Sequence, residues 1–291
     1  MSDDRMTDEA AVSRRDFGVL SLGAGMAAFA ATEAQAAAPE IVEADVTIKT
    51  PDGTCDAAYI HPATGAHPAV LIWPDAFGLR PSMRGFARRL AAAGYSVLVP
   101  NPFYRVAKAP VFDDPTKFDF ANPADMAKLG PLTGSIGAPG NAERDAIAYI
   151  AFLDAQKEVD KGKKIGTQGY CMGGALVVRT AAVSNRIGAG GSFHGGNLVN
   201  DMPTSPHLLA PKITARMYFG IAANDDMRQP DQKDKLRAAF GNKAEIEVYG
   251  QSNHGWCVPD MPMQGGKPIY NMADAERAWG KLVALYKAGL A

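Results

Sequence analysis

The residues best equipped for covalent chemistry lie in Gly169-Tyr170-Cys171-Met172-Gly173-Gly174. A strand is expected at Lys164-Ile165-Gly166-Thr167 and a helix from Ala175 to Val183, so Cys171 falls in a strand, G-x-C-x-G, helix sequence. That arrangement is a nucleophile elbow with sulfur in place of the usual hydroxyl. The turn forces the nucleophile into a strained conformation and brings helix and strand close together, which requires small residues such as Gly169 and Gly173 on both sides. At a helix N-terminus the partial positive charge favours the thiolate, the reactive form. The backbone N–H of Met172 is placed to stabilise an oxyanion. A buried structural cysteine in a glycine-rich turn would need neither the strand-helix context nor three glycines.

An elbow implies partners in chain order: an acid after a later strand, then a histidine after a still later one. Met217 to Ile221 reads as a strand running into Ala222-Ala223-Asn224-Asp225-Asp226, and a strand ending at Tyr249 runs into Gly250-Gln251-Ser252-Asn253-His254-Gly255-Trp256. His254 would exchange a proton with the Cys171 sulfur, and the acid would fix the imidazole tautomer and stabilise its charged form. Asp225 is preferred as that acid, with Asp226 left open. His194, in Ser192-Phe193-His194-Gly195-Gly196, is the rival base, but it precedes the acid and breaks the order.

The elements that must position these groups alternate between apolar runs and amphipathic stretches, the signature of βαβ units. Short leading strands are expected at Val46-Ile48 and Ala57-Ile60, and a buried one at Ala69-Trp73. Met83 to Ala93 has helical spacing and stops at Gly94, and Tyr95-Val99 is the next buried strand. Ala142 to Leu153, Asp231 to Phe240 and Ala273 to Tyr286 have helical spacing, and Glu245 to Tyr249 reads as a strand. Residues 102–140 show little periodicity and read as an irregular excursion over the C-terminal edge of the sheet, where α/β proteins bind ligands. The expected fold class is α/β, with a doubly wound, mostly parallel sheet in a single domain over residues 37–291.

Composition narrows the partners. Thirty Lys+Arg against 31 Asp+Glu give a net charge of −1, with no basic run to track a phosphate backbone, so no nucleic acid is expected. Three cysteines, Cys55, Cys171 and Cys257, lack paired spacing, which argues against a disulfide framework or a metal site. At the N-terminus, Ser13-Arg14-Arg15-Asp16-Phe17 precedes a weakly apolar stretch, Gly18 to Ala31, and Ala34-Gln35-Ala36 offers small residues to a peptidase. Residues 1–36 thus resemble a twin-arginine export signal, which implies the twin-arginine export machinery as a partner and a periplasmic or otherwise exported location. The uncharged stretch is shorter than the ~20 residues of a permanent membrane span.

With G-Y-C-M-G-G, the Asp225 loop and His254-Gly255-Trp256, the chain from about residue 45 to 288 resembles the dienelactone hydrolase family of α/β-hydrolases. The resemblance implies an α/β-hydrolase fold, a Cys171-His254-Asp225 triad and cleavage of a small-molecule ester or lactone through an acyl-enzyme, with no cofactor or metal. It implies an acidic residue after the third strand, where Asp75 stands in Trp73-Pro74-Asp75-Ala76-Phe77-Gly78, and a second oxyanion donor in the Ala76 N–H. It also implies arginines that hold a substrate carboxylate. Arg105 matches one, but Cys257 and Val258 stand where the other is expected, so the site loses one bidentate clamp. Trp256 is a candidate for the pocket wall. Two other classes remain open: a non-catalytic ligand-binding protein on a hydrolase scaffold, and thiol redox chemistry, for which no C-x-x-C is present.

Overall fold

Five consecutive apolar residues, Ala69–Trp73, form the buried strand β3. Their side chains alternate between two cores. Ala69, Leu71 and Trp73 pack on one face of the sheet, and Val70 and Ile72 on the other. The same alternation divides strand β4 (Ser96–Pro100), with Leu98 on the first face and Val97 and Val99 on the second. A strand apolar on both faces has to be covered on both, which is the physical basis of the layered architecture.

In the computed structural model, which describes residues 39–291, the chain forms an eight-stranded sheet. The remaining strands are β1 (Ile41–Thr50), β2 (Gly53–Pro62), β5 (Ile165–Tyr170), β6 (Ile187–Phe193), β7 (Arg216–Ala222) and β8 (Ala244–Tyr249). Their order is β1-β2-β4-β3-β5-β6-β7-β8. From β4 through β8 neighbouring strands are parallel, and β1 and β2 add an antiparallel edge. Helix α1 (Pro81–Ala92) and the C-terminal helix Met272–Gly289 contribute Met83, Leu90 and Leu282 to one face. The other face is covered by Asn141–Ala155, Met172–Val183 and Gln232–Phe240, through residues such as Leu153, Val177 and Leu236. The architecture is the α/β-hydrolase type expected. The expected export signal at residues 1–36 lies outside the described residues. No helix among the described residues is long and apolar enough to cross a membrane.

The excursion over 102–140 is more ordered than its sequence suggests. Residues 123–137 form helix α2 (Pro123–Gly137), started by Asn122, whose side-chain oxygen accepts the Ala124 N–H at 2.9 Å. Leu129, Leu132 and Ile136 are buried on one face. Gly130, Gly134, Gly137 and the interior Pro131 depress helix propensity and blur the apolar period of that face in the sequence. We name the helix Asn141–Ala155 α3, Met172–Val183 α4, the short helix Ala223–Arg228 α5, Gln232–Phe240 α6 and Met272–Gly289 α7.

Candidate active site

Cys171 joins β5 to α4 with φ 53° and ψ −118°, a conformation that L residues rarely adopt. The neighbouring glycines make it feasible. A Cβ on Gly169 would run into the Gly173 carbonyl, and one on Gly173 would lie 2.5 Å from the Trp73 carbonyl oxygen. A Cβ on Gly174 would strike Ser192 and Gly195. The elbow is thus wedged between β3, β6 and its own helix, and the Trp73 indole N–H donates to Thr180 of α4 at 2.9 Å. Cys171 is partly exposed, whereas Cys55 and Cys257 are buried; all three are free. Burial pushes the Cys55 thiol up to about 12 and raises Cys257 well above the usual thiol range, so both are poor nucleophiles near neutral pH.

Asp225 sits in the first turn of α5, directly after β7, rather than in an open loop. Its Oδ2 accepts from His254 Nδ1 at 2.6 Å. Asp226 turns away and pairs with Lys233 at 2.6 Å, so geometry separates two neighbours that the sequence barely distinguishes. Asn224 Oδ1 accepts the His254 N–H at 2.8 Å, and Ser252 O accepts the Ala223 N–H at 2.9 Å, tying the two loops together. Asn224 carries no signal of that role in the sequence. Burial disfavours the charged His254 ring, but the Cys171 sulfur beside it and the Asp225 carboxylate outweigh this and raise its pKa to about 10. The three groups come from the C-terminal ends of β5, β7 and β8, where ligands of open α/β sheets bind.

His194 occupies a different position. It is fully buried, with φ 40°, and its Nδ1 accepts the Cys171 N–H at 3.1 Å. Burial and the neighbouring His254 charge hold it well below the usual histidine range, so it is neutral. Its ring lies edge-on to His254, with centroids 4.8 Å apart. The histidine that meets an aspartate is His254.

A family model described as the dienelactone hydrolase family matches residues 56–290. The chain belongs to that family. Among its relatives is a carboxymethylenebutenolidase of Rhodococcus opacus, 27% identical over 250 residues, covering 82% of this chain and 88% of that one. A dienelactone hydrolase-like promiscuous phosphotriesterase from metagenomic libraries shares the fold at TM-score 0.69 and 24% identity, covering 86% of this chain and 99% of that one. An acetyl xylan esterase from Paenibacillus sp. R4 shares it at TM-score 0.59 and 15% identity, over 86% and 84% of the two chains. The protein is a hydrolase of the dienelactone hydrolase type.

The other expected site residues of this dienelactone hydrolase family member are arranged as follows. Ala76 lies in the turn after β3, and among the described residues its N–H makes no hydrogen bond. Met172 is the first residue of α4, so its N–H has no partner within the helix. Asp75 is buried, and its carboxylate is engaged by Arg80 through two contacts of 2.7 and 2.9 Å and by the Phe77 N–H at 2.9 Å. Arg80 also binds Asp260, and the sequence offered no signal for that three-residue network. Arg105 stands apart from Cys171 and His254 in its contacts. Its guanidinium is divided between Asp145, at 2.7 and 2.8 Å, and Asp52, at 2.6 Å. Trp256 is fully buried, stacked on Tyr249 and edge-on to His194, so it supports the site from behind.

Proposed function

We propose that this hydrolase cleaves an ester or lactone through a Cys171-His254-Asp225 triad and an acyl-enzyme intermediate. The observation that carries the reading is the hydrogen bond from His254 to Asp225 beside a partly exposed thiol held in strained backbone at a helix N-terminus. The Cys171 thiolate attacks the carbonyl carbon, and the Met172 and Ala76 N–H groups receive the developing oxyanion. Imidazolium His254 gives its proton to the leaving alkoxide, then as neutral imidazole takes one from the water that attacks the thioester. The tetrahedral species then collapses, releasing the acid and restoring the Cys171 thiolate beside imidazolium His254.

The exposure of the thiols supplies the test. Iodoacetamide at one equivalent should alkylate Cys171 ahead of the buried Cys55 and Cys257, and turnover of aryl esters and small lactones should fall in proportion to that modification. Undiminished hydrolysis by fully Cys171-alkylated protein would exclude the nucleophile.

We also propose that residues 1–36 direct export through the twin-arginine machinery, on the strength of Arg14-Arg15 ahead of an uncharged stretch and Ala34-Gln35-Ala36. Passage in the folded state would let a catalytic thiol mature in a reducing compartment. Full-length protein expressed in a twin-arginine-competent bacterium should be recovered from the periplasm beginning at Ala37. Arg14→Lys with Arg15→Lys should keep it inside the cell, and periplasmic protein that retains Met1 would contradict the reading.

A further inference from the structure

A cleft of about 750 Å³ opens beside the elbow, within the roughly 300–1,000 Å³ usual for small-molecule sites. Met172, Ala175 and Leu176 of α4 form its floor, α2 lines one side, and the segment from Gly196 to Pro206 lines the other. It adjoins the elbow: Met172 follows Cys171 directly, and the Gly196 N–H donates to the Cys171 backbone carbonyl at 3.0 Å.

Two features limit what fits. The first is charge. Among the described residues, Glu143 and Arg179 are the only ionisable ones on its lining, and they pair with each other at 2.7 Å; Arg179 also donates to the Thr204 carbonyl at 3.0 Å. A carboxylate entering there would find no uncommitted cation among the described residues and would face the Glu143 charge. Arg105, which is not on the lining, is likewise committed to Asp52 and Asp145. The second feature is bulk. Gly130, Gly134 and Gly137 recur at i, i+4 and i+7, on one face of α2. A Cβ at any of the three would meet nothing within 4 Å, and none has a left-handed φ. Neither backbone conformation nor packing requires glycine there, and glycine inside a helix weakens it relative to alanine. What these glycines supply is empty volume over the floor of the cleft.

We infer that this cleft receives the larger, uncharged acyl or alkoxy part of the substrate, and that the glycine face of α2 sets how much bulk enters. The inference rests on the triad reading above. Ala175, Leu176, Ile136 and the exposed Met202 offer apolar contact to a chain or ring, and a substrate carboxylate has no place in it.

The test compares kcat/KM for the p-nitrophenyl esters of acetate and hexanoate and for the monoaryl ester of adipate, which is hexanoate's length with a terminal carboxylate. The wild type should prefer hexanoate to the adipate hemi-ester by roughly tenfold or more. Gly134→Leu, and independently Gly130→Leu, should lower the hexanoate-to-acetate ratio by roughly tenfold, the scale on which a pocket discriminates one or two methylenes. Glu143→Gln, which frees Arg179, should narrow the preference against the carboxylate. Ratios unchanged in both glycine variants, or a wild type that favours adipate, would overturn the inference. Cys171 alkylation run alongside separates the two claims: turnover that survives it removes the triad, whereas an unchanged chain-length ratio removes the cleft.

Discussion

His254→Ala is expected to lower kcat for an ester that the wild type cleaves by roughly 10²–10⁴-fold, the usual contribution of a positioned acid-base group. KM should change little, because in the proposed mechanism the imidazole acts on the reacting atoms rather than on the bulk of the substrate. Cys171→Ala should fall to the same low level, and the double variant should be no worse than either single one, since residues that act as a unit are strongly non-additive. The pH dependence makes the prediction sharper. The Cys171 sulfur and Asp225 carboxylate raise His254 to about 10, so the imidazolium persists through neutral pH. The proton needed by the leaving alkoxide is therefore present below that value and lost as pH rises through it, and kcat/KM should fall on an alkaline limb near 10. Asp225→Asn removes one of the charges that hold the proton, so its limb should move to lower pH. A limb that stays put in Asp225→Asn, with full activity in His254→Ala, would take both residues out of the mechanism.

What the sequence revealed of this site follows from how local each signal is. Gly169, Cys171 and Gly173 lie within five residues, and their steric demands are met by their own strand, their own helix and the adjacent β3, so the elbow can be read directly. β3 was legible for a similar reason: burial on both faces leaves a continuous apolar run with the bounds Ala69–Trp73. The sequence barely separates Asp225, the preferred acid, from Asp226. The first turn of α5 separates them, sending one carboxylate to His254 and the other to Lys233. α2 was obscured because the glycines that open the cleft are the residues that weaken a helical pattern. Arg105 matched a family position, yet the carboxylates that occupy it lie 53 and 40 residues away in the chain, beyond any local pattern. Trp256, two residues after His254, suggested a pocket wall, but an indole stacked on Tyr249 at 4.6 Å is part of the core.

Arg80 is the most distant of these connections, and replacing it should have the largest effect on stability. Its five N–H donors are all used: Nη1 to Asp75 and the Gly78 carbonyl, Nη2 to Asp75 and Asp260, and Nε to Asp260. Both Arg80 and Asp75 have side chains only 1% exposed. Burial works against the Arg80 charge, and the two carboxylates more than offset it. Arg80→Met would leave Asp75 with the single N–H of Phe77, an almost unpaired carboxylate out of water. Breaking a buried pair from one side costs roughly 3–5 kcal/mol, which for a domain of this size lowers the melting temperature by roughly 6–20 °C. Arg80→Lys should recover only part of it, because an ammonium group has three donors and cannot serve two carboxylates side by side. Asp75→Asn combined with Arg80→Met should be milder than Arg80→Met alone, since no buried charge is then left over. Asp75 immediately precedes Ala76, and Asp260 lies in the segment that follows His254, so the same guanidinium holds the proposed oxyanion turn against the histidine loop. In Arg80→Met, kcat should therefore fall even at temperatures where the protein remains folded, and Asp260→Asn, which removes the more exposed partner at 27%, should show a smaller version of both effects. Thermal unfolding and kcat measured on the same samples would decide it: a wild-type melting temperature in Arg80→Met would show that the network does not hold the two loops together.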